Sequence, residues 1–109
     1  MRTRIQTSDP RSFQVVSGQP QLVEFFAYWS NTSRSMAPVV HALEDRYGER
    51  IRFVYLDIDD PQNSLFKSLI NDRLPPLFYL LDGQGNVLAE WQGQVSVTEF
   101  ESAFAALQP

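Results

Sequence analysis

Leu22-Val23-Glu24-Phe25-Phe26-Ala27-Tyr28-Trp29 is a nearly continuous apolar run with one acid inside it, and Ser30-Asn31-Thr32-Ser33 breaks it abruptly. A run of that kind suits a strand covered on both faces, as in a parallel sheet. Beyond the break, Met36, Val39, Val40, Leu43 and Tyr47 recur at i, i+3, i+4, i+7 and i+11, one stripe of an amphipathic helix. Gly48 supplies its stop, and Pro38 inside it removes a backbone bond and predicts a kink. The stretch therefore reads as strand, short polar turn, helix, with the polar turn at the helix N-terminus.

The same pattern repeats outward from this unit. Ile51 to Ile58 reads as the next strand, and Asp60-Pro61 opens a short helix carrying Leu65, Phe66, Leu69 and Ile70. Leu74-Pro75-Pro76 breaks that helix. Leu77 to Leu81 is a third strong strand, Asp82-Gly83-Gln84-Gly85-Asn86 a tight turn, and Val87 to Trp91 the hairpin partner. After Gly93, the residues Phe100, Phe104 and Leu107 mark a terminal helix. Upstream, Ile5 is a weak edge-strand candidate. Ser8-Asp9-Pro10 predicts a helix that carries Phe13 and Val16, with Val15 beside them, and ends at Gly18 and Pro20. Strand and helix alternation followed by a hairpin implies an α/β domain: a central mixed sheet of about five strands with helices on both faces.

Composition narrows the function classes. The chain has 109 residues, so residues 1–109 are expected to form a single domain. It has no cysteine and one histidine, which excludes disulfides, a thiolate nucleophile, iron–sulfur ligation and Cys- or His-rich zinc sites. A net charge of −4 disfavours a nucleic-acid partner or an anionic membrane surface. No apolar run reaches the roughly 18–20 residues that span a bilayer, and no apolar segment follows Arg2 and Arg4. A soluble domain is expected. Asp57, Asp59, Asp60 and Asp72 lack the spacing of a calcium loop, and the expectation is no metal and no cofactor.

The order and spacing of these pieces resemble thioredoxin. Leu22 to Trp29 is similar to the family's strand leading to its active-site tryptophan, and Ser30 to Pro38 to its redox loop and kinked helix. Phe53 to Asp59 resembles the third strand. Leu74-Pro75-Pro76 lies where the family places a cis-proline, and Asp82-Gly83-Gln84-Gly85 with Gly93 matches the late hairpin. The resemblance implies a thioredoxin fold and a parent activity of protein thiol–disulfide exchange. It departs at one place: Ser30 and Ser33 stand where the family carries its two redox cysteines.

By that resemblance Ser30 occupies the nucleophile position, Ser33 the resolving position, and Glu24 the place of a buried acid whose pKa burial should raise. Trp29, Asn31, Thr32, Leu74, Pro75 and Gly93 would form the substrate groove. Pro75 would be the cis-proline, presenting its backbone to an extended protein or peptide segment. A thioredoxin-reductase-type or membrane electron donor is the implied partner. The resemblance implies no single compartment: bacterial proteins of this kind are cytoplasmic or tethered on the outer side of the inner membrane. Read without the resemblance, Ser30 and Ser33 offer a helix cap, and His41 reads as solvated helix surface, off the apolar stripe and too far along the helix to serve a serine nucleophile. The chain is expected to be redox-inactive. The frame kept around both serines reads as an engineered Cys→Ser pair, and the alternative is a natural, non-enzymatic peptide-binding or assembly module.

Overall fold

The computed structural model describes residues 4–9, 13–66, 70 and 73–107. Four strands form one mixed sheet: β1 (Gln21–Phe26), β2 (Arg52–Asp57), β3 (Leu77–Leu81) and β4 (Val87–Gln92). The spatial order is β2-β1-β3-β4, with β1 parallel to β2 and antiparallel to β3, and β3 antiparallel to β4. The continuous apolar run of β1 follows from its central position, since every one of its residues is buried. Helix α1 (Asn31–Tyr47) crosses over between β1 and β2 and runs through Pro38, and α2 (Val97–Ala105) closes the chain.

Strand alternation sends Leu22, Glu24 and Phe26 to one face and Val23 and Phe25 to the other. Met36, Val40 and Leu43 of α1 and Phe100 and Phe104 of α2 pack on the first face, with Leu22, Phe26 and Phe78. The Phe100 ring meets Phe78 at 5.1 Å between centroids and Trp91 at 5.0 Å. The second face carries Val23, Phe25, Val54, Leu56 and Tyr79. Phe13 and Phe66 cover it, Phe66 ending a 3-10 helix over Pro61–Phe66.

Two expectations change. The sheet has four strands rather than about five, because Ile5 joins none. The N-terminal segment instead clamps β2 at Tyr55: Ser8 N donates to Tyr55 O at 2.8 Å, Thr7 Oγ1 donates to the same oxygen at 3.4 Å, and Ser8 Oγ accepts from Tyr55 N at 2.9 Å. The expected helix over Phe13 to Val16 is not formed among the described residues. Its carbonyls are claimed by a side chain, since Gln21 Nε2 donates to Gln14 O and Val15 O, and Val16 is left exposed. Helices α1 and α2 lie on one face, and the described cover of the second face is the Phe13 segment, the 3-10 helix and the helical, buried Ile70, so helical structure covers both faces as expected. Pro10, Leu69 and Asp72 lie outside the described residues.

Candidate functional site

The C-terminal end of β1 delivers the chain to the N-terminus of α1, and Ser30 is the cap. Its Oγ accepts from Ser33 N at 3.1 Å and satisfies one of the orphan donors of the first turn. The same hydroxyl donates to Pro75 O at 3.1 Å, which ties the helix to the loop before β3. Ser33, fully buried, accepts from Ala27 N at 3.2 Å. Both hydroxyls are thus structural hydrogen-bonding groups. The turn is held further by Arg34, which donates to Tyr28 O at 2.6 Å and to Asn31 Oδ1.

A groove of about 430 Å³ opens above Ser30. It is lined by Trp29, Asn31, Thr32, Leu74, Pro75 and Gly93, with Gln92 added from the end of β4. The structure brings the six expected groove residues together at one place. Trp29 is 58% exposed and Leu74 70%, so the rim offers two large apolar side chains to solvent. The Trp29 indole is fixed by its Nε1 donating to Asp59 Oδ2 at 2.9 Å. Gln92, which sequence reasoning missed, donates through Nε2 to Leu74 O at 3.1 Å. Its only signal was adjacency to Gly93.

One expected feature shifts by a residue. The cis peptide bond joins Pro75 to Pro76, so Pro76 is the cis-proline and Pro75 the residue before it. Two prolines in succession left the register open from sequence. The placement puts the Pro75 carbonyl, and not that of Leu74, against Ser30.

Glu24 and Ser33 share a separate cavity beneath the groove, lined also by Ala37, His41, Tyr55 and the N-terminal Ile5 and Gln6. Its volume is about 10 Å³, room for about one water. Burial pushes the Glu24 carboxyl up to about 8, because the low-dielectric surroundings penalise its charged form. His41 is buried, not solvated, with its ring edge-on to Tyr55 at 5.2 Å. A second stripe, Ser33, Ala37, His41 at i, i+4, i+8, carried that signal in the sequence and was hidden by the more apolar one. Serine, histidine and a carboxylate therefore line one cavity, with room for about one water.

Residues that could ligate a metal form no cluster of three or more among those described. No described helix is long and apolar enough to cross a membrane.

The comparisons with known proteins agree with this architecture. Residues 5–106 match the family model described as Thioredoxin. The chain is 29% identical over 109 residues to the thiol:disulfide interchange protein TxlA homolog of Synechocystis sp., covering 98% of this chain and 59% of that protein. It is 30% identical over 63 residues to the thioredoxin of Bacillus subtilis, covering 58% of this chain and 60% of that one. This chain therefore spans about three-fifths of the length of each of these two relatives. Its structure superposes on Fasciola hepatica thioredoxin with a TM-score of 0.67 at 26% identity, covering 82% of each chain. A parallel β1–α1–β2 unit, an antiparallel hairpin, the residue before a cis-proline facing the helix cap and a family match across nearly the whole length all agree: the chain belongs to the thioredoxin family.

Proposed function

We propose that this is a redox-silent thioredoxin-family domain that holds an extended polypeptide segment in the groove between Trp29 and Pro75. The observation that carries the reading is the bonding of Ser30. A thiolate at this helix N-terminus would be stabilised by the helix field and would attack a disulfide. A serine hydroxyl ionises several units higher, and here it donates its proton to Pro75 O. An O–S bond is no stable equivalent of a disulfide, so neither the attack nor the resolution at Ser33 has a counterpart. With no electrons to accept, the domain needs no reductase on either side of a membrane. What remains is the surface that substrates of the parent chemistry would meet: exposed Trp29 and Leu74 flanking the groove.

The test is insulin reduction with dithiothreitol as donor. The chain is expected to leave the rate of precipitation at the uncatalysed level, and a measurable acceleration overturns the reading. The frame around the serines supports their being replacements for a cysteine pair. Cysteine codons at 30 and 33 in the native coding sequence uphold that origin. Serine codons make the domain a natural binding module, the reading favoured by both hydroxyls being built into the hydrogen bonding.

A further inference from the structure

The rim of the groove has an unusual hydrogen-bonding inventory. An extended segment that adds to a sheet edge exchanges N–H and C=O groups with it. Along residues 74–76 the donors are missing at two successive positions, because Pro75 and Pro76 have no N–H. Every carbonyl of the three already accepts a bond. Leu74 O accepts from Gln92 Nε2 at 3.1 Å, Pro75 O from Ser30 Oγ at 3.1 Å, and Pro76 O from Gly93 N at 2.8 Å. Two further polar atoms at the mouth are engaged as well, Trp29 Nε1 with Asp59 and Asn31 Oδ1 with Arg34. The apolar side chains are not engaged in this way, and Trp29 and Leu74 stand more than half exposed.

We infer that Pro75 is a specificity-determining residue of this groove: it withholds the backbone donor that strand addition needs, so an occupant is selected by apolar side-chain contact with Trp29 and Leu74. This rests on the groove being the polypeptide site proposed above and names the occupant's chemistry. The occupant is an extended segment presenting an apolar or aromatic side chain, with little dependence on its own backbone carbonyls.

The experiment tethers a probe at the site. The Ser30→Cys variant is first converted to its glutathione mixed disulfide by glutathione disulfide, with release of reduced glutathione. It is then equilibrated with reduced glutathione and with a hexapeptide thiol carrying one cysteine flanked by leucine, so that the peptide thiolate displaces glutathione by exchange, and the ratio of the two mixed disulfides is measured. The cysteine frees one Pro75 lone pair but adds no strong donor, so residues 75 and 76 still supply none. Adding Pro75→Ala is expected to raise the preference for the peptide about three- to tenfold, as one hydrogen bond is gained. The amide introduced at position 75 is expected to exchange with solvent at least tenfold more slowly in the peptide adduct. Trp29→Ala with the proline rim intact is expected to lower the preference at least threefold, and this arm stands even if Pro75→Ala fails to fold. A preference that ignores Pro75→Ala in a folded protein, or ignores Trp29→Ala, overturns the inference while leaving the groove reading in place. No preference for the peptide over glutathione in any variant overturns both.

Discussion

At the scale of single residues the account turns on Ser30 and Glu24. Ser30 joins the first turn of α1 to the loop before β3 with one hydroxyl. Ser30→Ala removes a helix cap and a buried hydrogen bond together, and is expected to cost about 1–3 kcal/mol, read as a lower urea midpoint with unchanged slope. An unchanged midpoint contradicts the structural role given to that hydroxyl. Glu24 makes a pH-dependent contribution whose sign is fixed by its raised pKa. The folded carboxyl titrates at about 8, against an ordinary 4.5. Below 4.5 both states hold the proton and nothing is lost. Between 4.5 and 8 the unfolded state releases its proton and the folded state does not, so stability falls as pH rises, and the fall is complete above 8. The loss is on the order of a few kcal/mol. Glu24→Gln should flatten this part of the profile when urea midpoints are compared at pH 5, 6.5 and 8.5. A variant that keeps the full slope assigns it to other groups.

At the scale of elements the turn between β3 and β4 makes a local prediction. Gly85 has φ +87, and a Cβ there would approach Val15 Cγ1 to 2.8 Å. Gly85→Ala meets strain and a clash at once and is expected to cost about 1–3 kcal/mol, measurable by thermal unfolding. The strands were legible because their signal is short-range. Leu77 to Leu81 is apolar at every position and lies inside the sheet, and the Asp82–Asn86 turn is closed by Asp82 N donating to Asn86 O. Over the described residues 13–16 the expected helix does not form because apolar spacing is only a propensity, and the side chain of Gln21, six to seven residues on, takes the carbonyls of Gln14 and Val15. The burial of His41 was missed for a related reason. It depends on Ile5, Gln6 and Tyr55 closing over α1, which no local period encodes. Gln92 and the cis-proline register are likewise tertiary facts, fixed only when β4 and the 74–76 loop meet.

At the scale of the whole molecule the scaffold and the chemistry separate. The groove residues expected from sequence converge because the β1–α1 junction, the 74–76 loop and the end of β4 all arrive at the same end of the sheet. The fold thus keeps a site whose geometry is set by backbone topology, and the two atoms that would move electrons are absent from it. Reinstating them should reinstate the reaction. The most direct measurement is insulin reduction by the Ser30→Cys/Ser33→Cys variant, beside the unsubstituted chain, after circular dichroism shows both are folded. Catalysis by the double variant alone is the result expected. Catalysis by the serine form, or a folded double variant with no activity, contradicts the account.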